Sequence, residues 1–454
     1  MNGTAAGLGW LGIVRLGLIQ TSLGAVVVLM TSTINRVMIV ELGLAAVLPG
    51  ILIGIHYVVQ LARPRFGHGS DSGGQRTPWI IAGMAVLCVG GVMAAASLYL
   101  FEYSWLAGVV AAIVAFVLVG AGVGASGTLL LVLLASTVRP ERRAAAATTT
   151  WLMMIAGFIV TTIAASKYLD PFSLDRLLAV TTTVATIALI VTVLAVIGIE
   201  RRFVRPDSRS VAVEPTPTAV DFRTALHEVL TEKRTRTFAA FVFLSMLAYS
   251  GLDVLLEPFA GAVHGMTPAE STQLTGFYSA GLLAGMLLVA LIGSIRSAAQ
   301  HRAMRWCMLF GCLGSAVGLG VLATSALSGQ QDHFVGLVIT IGLTNGLFAV
   351  AAIGSMMGLM SQGHRGRDGV RMGLWGAAQA LAFGSGAVLG GAIIDTLHWL
   401  GIGVAGSYAA AFIVLGMLYA MASAVVTRID TNVAGDSDKA RNNPLHAAAA
   451  LDLK

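Results

Sequence analysis

Charge is scarce in this sequence. Of 454 residues, 28 are Lys or Arg and 22 are Asp or Glu, 11% in all, whereas a soluble globular domain carries roughly 25%. With 56% hydrophobic residues and a mean hydropathy of +0.83, too little polar surface is available to keep the chain dissolved. That excludes an ordinary soluble enzyme, a disordered chain and a small secreted domain held by disulfides. Cysteine is scarce too. Cys88, Cys307 and Cys312 all lie in apolar segments without metal-site spacing, so they are small hydrophobes rather than a disulfide framework. The sequence contains no Gly-x-Ser-x-Gly, no His-Glu-x-x-His, no Cys-x-x-Cys and no Walker sequence. Nothing points to catalysis, and ATP is not expected as an energy source. The start, Met1-Asn2-Gly3-Thr4, has no basic n-region, so the first apolar run is expected to be retained.

What is present is a succession of long apolar runs. A helix needs about 20 apolar residues to cross a bilayer. Twelve such runs are expected at 15–40, 45–65, 77–100, 105–136, 144–168, 176–199, 237–262, 272–295, 302–325, 334–360, 371–395 and 401–427. They are continuous rather than alternating, which disfavours a β-barrel. The expected fold is an all-α polytopic membrane protein of twelve transmembrane helices in two six-helix halves. The loops after spans 2, 4, 6, 8 and 10 hold 3, 3, 8, 3 and 3 Lys or Arg, whereas the other loops hold only Lys167 and Arg176. By the positive-inside rule both termini and the central loop are cytoplasmic. The net charge of +6 is therefore a topological signal, and no nucleic-acid partner is expected.

The one long internal polar stretch divides the chain into a six-helix bundle at 1–199, a linker at 200–236 and a second bundle at 237–428. A polar tail at 429–454 is expected to be disordered. Within the linker, Phe222, Ala225, Leu226, Val229 and Leu230 follow a helical spacing, which predicts a short amphipathic helix on the membrane surface. The halves echo each other. The segment from Leu133 to Arg143 has a counterpart 225 residues on, from Gly358 to Asp368, and both precede a span ending in an aspartate, Asp170 or Asp395. Six plus six helices with a linker is the organisation of the major facilitator superfamily. The loop after span 2 resembles that superfamily's Gly-x3-Asp-x2-Gly-Arg-Arg motif through Gly67, Asp71, Gly74 and Arg76, with Gln75 departing from the first arginine. A glycine turn carrying a fixed carboxylate can accept bonds from a helix N-terminus and latch the halves.

Charges at membrane depth are costly, which makes them candidate sites. Arg36 lies near the end of span 1, beside Asn35 and five residues before Glu41, while Asp253 and Glu257 share one face of span 7. Arg36 and the Asp253/Glu257 pair reach similar heights, so a contact across the halves is expected. It reads equally as functional, a cavity gate or a proton-sensitive carboxylate, or as a static ion pair between spans 1 and 7. Pro258 frees a backbone carbonyl one turn earlier. His56, mid-way along span 2 with Tyr57 and Gln60, is a candidate pigment ligand, since imidazole is a usual axial ligand of tetrapyrrole metals; a hydrogen-bonded bundle histidine is the plainer alternative. Asn345 on span 10 is a second buried polar candidate. Small-residue pairs at Gly120/Gly124, Gly281/Gly285 and Gly386/Gly390 predict close helix approach.

Three separated segments carry a closer resemblance. Thr33-Ile34-Asn35-Arg36-Val37-Met38-Ile39-Val40-Glu41-Leu42, the loop Arg63 to Asp71 followed by Arg76-Thr77-Pro78-Trp79-Ile80, and Asp253-Val254-Leu255-Leu256-Glu257-Pro258 resemble signatures of the bacteriochlorophyll delivery family. This is the light-harvesting complex assembly (PucC/LhaA) branch of the major facilitator superfamily. The resemblance implies a non-enzymatic assembly factor in the bacterial cytoplasmic or intracytoplasmic photosynthetic membrane. Its cargo would be bacteriochlorophyll and its partners the antenna α and β polypeptides, with pigment-synthesis or membrane-insertion machinery as further candidates. Lateral grooves, rather than a through-cavity, would suit so hydrophobic a cargo. A proton-coupled transporter of a small organic solute, with Asp253 or Glu257 titrating, is the alternative. A pigment-synthesis enzyme is a third, which the absence of a catalytic constellation does not support.

Overall fold

The computed structural model describes residues 8–63, 75–139, 142–200, 233–294, 300–329, 333–360 and 368–428. The expected amphipathic linker helix, the tail and the loop positions Gly67, Asp71 and Gly74 lie outside them. Among the described residues the chain is built of helices: α1 (Trp10–Glu41), α2 (Val47–Ala62), α3 (Thr77–Tyr103), α4 (Trp105–Thr137), α5 (Arg143–Tyr168), α6 (Leu174–Val196), α7 (Lys233–His264), α8 (Pro268–Ser294), α9 (Gln300–Ser328), α10 (Phe334–Met360), α11 (Asp368–Trp399) and α12 (Val404–Thr427).

These are the twelve expected runs, and eleven of them are long and apolar enough to span a bilayer. The exception is α2, whose last turn tightens to 3-10 geometry at Gln60–Ala62. The differences at the ends have local causes. The seventh helix starts at Lys233, inside the stretch assigned to the linker, because Lys233–Arg236 continue the helix beyond its apolar part. The twelfth starts three residues late, after Gly401 at φ +83° and the N-cap Gly403.

The main helix contacts of the first half have counterparts six helices later. The pairs α1–α5, α3–α6, α2–α4, α3–α4 and α1–α6 are matched by α7–α11, α9–α12, α8–α10, α9–α10 and α7–α12. The halves meet through a matched pair as well, α2 with α11 and α5 with α8. Two large apolar cores follow the same division, one built almost wholly from residues 8–199 and the other from 238–426. A smaller cluster of Ile155, Leu282 and Met286 joins α5 to α8 at mid-depth.

Without a hydrophobic force between helices in lipid, close approach decides packing. At Gly281 and Gly285 a side chain would overlap the carbonyl oxygens of Ile339 and Leu343 on α10, so the predicted small-residue pair sets that crossing. The same holds for Gly386 against Leu247 on α7, and Gly120 lies against the main chain of His56.

Candidate functional site

The polar groups that join the halves gather at the end of the bundle opposite the linker, the far end. There α1 departs from α-helical geometry. Leu29–Ile34 and Val37–Glu41 are π-helical, and the Leu42 amide reaches back five residues to the Val37 carbonyl at 3.0 Å. In this wider turn residues five apart lie near one face. Arg36 and Glu41 are thereby brought together, with Arg36 Nη1 donating to Glu41 Oε1 at 2.6 Å. Arg36 is 2% exposed and Glu41 35%. Arg36 Nη2 donates across the halves to the Met266 carbonyl at 2.7 Å. A Cβ at Gly261 would stand 2.9 Å from that Nη2, so the glycine lets the guanidinium lie against α7.

The expected ion pair of Arg36 with Asp253 or Glu257 is therefore corrected. Arg36 does cross the seam, but onto main chain, and its carboxylate partner is Glu41 in its own helix. In an ordinary α-helix residues five apart diverge by well over 90°, so α-helical spacing hid the pair.

Glu257 is fully buried. Its Oε1 accepts from Thr275 Oγ1 at 2.6 Å, and its Oε2 has no partner. Thr272, one turn before Thr275 on α8, shares a 3.0 Å hydrogen bond with Thr33 of α1. Pro258 lies inside α7 and has no N–H to offer the carbonyl four residues back. That carbonyl, Val254 O, instead accepts from Asn35 Nδ2 at 2.6 Å. The bond freed by the proline is thus filled from the other half. Asp253 is half-buried at mid-depth, within electrostatic reach of Tyr57, Tyr249 and Tyr278. Around that level Phe383 packs against Tyr57 at 5.0 Å and Tyr249 at 5.6 Å.

A further inter-half contact was not singled out as a site residue. Asp395 of α11 accepts from the amides of Ala46 and Val47 at 2.9 and 2.7 Å, capping α2 across the seam. The signal was there: α2 enters at Ala46 with no side-chain cap of its own, and an acidic residue near a buried helix start answers that need. At the opposite end Glu200 caps α3 in the same way, accepting from Arg76 N at 2.7 Å and Thr77 N at 2.8 Å, within one half. Arg76 Nη1 also donates to Ser136 Oγ at 2.9 Å. Of the expected loop latch, Arg76 alone is among the described residues.

Asn345 closes a buried network within the second half. Its Oδ1 accepts from Ser315 Oγ at 2.7 Å and Tyr419 Oη at 2.8 Å, and its Nδ2 donates to Tyr278 Oη at 2.7 Å. Four helices, α8, α9, α10 and α12, are tied by one side chain. His56 is similarly enclosed. Arg63 donates to Gln60 Oε1, which turns Gln60 Nε2 toward His56 Nε2 at 2.8 Å. The imidazole is 2% exposed, and a ring nitrogen already accepting from an amide offers no lone pair to a metal. In this conformation His56 is buried within the bundle, with Nε2 bonded to Gln60 and Nδ1 without a partner. Among the described residues no group of His, Cys, Asp or Glu could hold a metal ion.

Twelve helices in two equivalent halves, joined along α2/α11 and α5/α8, define a multi-pass membrane protein of the major facilitator type. A solved structure of a bacterial homolog of the human lysosomal transporter Spinster, inward-facing and occupied, has this fold. It matches with a TM-score of 0.69 at 13% identity, over 92% of this chain and 96% of that one. The model of the PUCC protein family matches residues 33–433. The chain is 45% identical over 442 residues to the "Bacteriochlorophyll synthase 44.5 kDa chain" of Rhodobacter capsulatus, covering 94% of this chain and 100% of the relative. It is 29% identical over 433 residues to "Protein PucC" of the same organism, covering 91% and 90%. The chain belongs to the PUCC protein family, and its role is related to photosynthesis.

Proposed function

We propose that this protein is an assembly factor for photosynthetic light-harvesting antenna complexes. It holds bacteriochlorophyll in the membrane and passes it to the antenna α and β polypeptides, and it is not itself an enzyme. One observation carries the reading: a chain similar end to end to a protein named for bacteriochlorophyll is built on a transporter frame. A frame of this kind moves or holds a ligand without bond chemistry. The far end of the seam is stitched by hydrogen bonds from Thr33, Asn35, Arg36 and Asp395. With the linker cytoplasmic, as the Lys/Arg distribution predicts, the closed end would face away from the cytoplasm. Pigment made at the cytoplasmic side would then enter from the linker side or laterally from lipid.

The test is deletion of the gene in a phototroph that carries it. The expected result is loss of near-infrared antenna bands while extractable bacteriochlorophyll precursors continue to be made. Normal antenna bands would overturn the reading, and loss of all bacteriochlorophyll would favour the synthetic enzyme instead. A second reading, a proton-coupled transporter of a small organic solute, is favoured by the unpartnered Oε2 of buried Glu257. It predicts solute uptake in proteoliposomes that needs a proton gradient and fails in Glu257→Gln.

A further inference from the structure

Two buried oxygen atoms near the far end have no donor. Glu257 Oε2 and Asn35 Oδ1 are both without a hydrogen-bond partner, and both side chains are fully buried. They belong to one ring of polar contacts that joins α1, α7 and α8. Thr33 of α1 shares a 3.0 Å hydrogen bond with Thr272 of α8. One turn along α8, Thr275 Oγ1 donates to Glu257 Oε1 of α7 at 2.6 Å. One turn back along α7, the Val254 carbonyl accepts from Asn35 Nδ2 at 2.6 Å, which returns the ring to α1. Thr272 also lies within reach of the Glu257 carboxylate. Each free oxygen shares a carbon with an atom already bonded in the ring, so neither can turn away from it.

A buried carboxylate is costly unless it is paired. Among the described residues Glu257 has no salt bridge. The Arg36 guanidinium is within its electrostatic reach, but it is bonded to Glu41 and the Met266 carbonyl, and its Nε packs against Gly261. Asp253, one turn nearer the linker on the same face of α7, adds a second negative charge without joining the ring. The groups left to offer are a carboxylate oxygen, an amide oxygen and hydroxyls, and a hydroxyl that donates its proton still has lone pairs. Hard oxygen donors with no free nitrogen or sulfur suit an alkali cation rather than a transition metal. One carboxylate in the ring matches a single positive charge, whereas calcium takes about six to eight oxygens and more carboxylate charge. The ring is tight, its contacts being 2.6–3.0 Å, which favours a small ion. We propose that Thr33, Asn35, Glu257, Thr272 and Thr275 form a binding site for a sodium ion. Thr33 and Asn35 come from the first half and the others from the second, so a bound ion ties the halves together and favours the closed far end. The site goes beyond the assembly role and does not depend on which cargo is carried.

The test uses the full-length protein in detergent and measures equilibrium binding of radioactive sodium, with ionic strength held constant by choline chloride. Wild type is expected to bind sodium saturably without competition from choline, and its Tm is expected to rise as sodium replaces choline. Glu257→Gln is expected to abolish the binding. Thr275→Val is expected to raise Kd about tenfold, and Thr275→Ser, which keeps the hydroxyl, to hold it within about twofold of wild type. Thr340→Val, at an exposed threonine on α10, is the control and is expected to leave Kd within about twofold. Absence of saturable sodium binding in wild type overturns the site. Binding unchanged in either Glu257→Gln or Thr275→Val overturns it too. A Tm that follows pH and ignores sodium overturns it in favour of a proton on Glu257. The antenna bands of the deletion strain test the assembly role separately.

Discussion

The two halves share one set of helix pairings but place their polar groups to different ends. In the second half Asn345, Ser315, Thr344, Tyr278 and Tyr419 turn inward and satisfy one another. In the first half Thr33, Asn35 and Arg36 turn outward and bond to the partner half. The equivalent helices α1 and α7 show why the outward set works. One is loosened by π-turns and the other is interrupted by Pro258, so each exposes backbone or side-chain groups that an unbroken helix would have consumed. The seam is therefore built where two irregular helices complete each other.

That contrast can be broken at several points. Arg36→Met should have the largest effect, destabilising the detergent-solubilised protein by about 3 kcal/mol, since it leaves Glu41 and the Met266 carbonyl without their cation. Thermal denaturation measures this, and a Tm equal to that of wild type would mean that Arg36 does not hold the seam. Asn345→Leu removes three buried side-chain hydrogen bonds and should cost about 2 kcal/mol, while antenna assembly at growth temperature persists. A loss of assembly without loss of Tm would instead make the second half's network functional. Asp395→Asn removes the charge that caps α2 and should cost about 1 kcal/mol. Because the cap crosses the seam, it should also speed hydrogen exchange at the start of α2 and the end of α11 together. Smallest of all, Pro258→Ala restores a donor to Val254 O in competition with Asn35. Alone it should shift stability by less than about 1 kcal/mol, and with Asn35→Ala the two changes should be non-additive; simple additivity would show that the two residues do not share that carbonyl.

Much of the frame was legible because a membrane helix is specified by continuous apolar length. Most helix ends fall within a few residues of the expected ones, and Gly281/Gly285 mark a real close approach. The site was legible in its members more than in its pairings. Arg36, Glu41, Asn35 and Glu257 were conspicuous as polar groups in an apolar chain. Their partners depend on features that composition does not record. Widening of α1 brought Glu41, rather than Asp253 or Glu257, to Arg36. The carbonyl freed by Pro258 was foreseeable, but that Asn35 takes it depends on how two halves, 219 residues apart in sequence, meet. Asp395 was visible as an acid ending a span, and its meaning came only from the uncapped start of α2 lying beside it.

The central claim is that the protein hands pigment to antenna polypeptides. The most direct measurement mixes protein loaded with bacteriochlorophyll and unpigmented antenna α and β polypeptides in a bilayer, and follows the growth of the red-shifted antenna band. Growth faster than from the same amount of bacteriochlorophyll supplied in lipid alone is the predicted result. Equal rates from the two sources would contradict it.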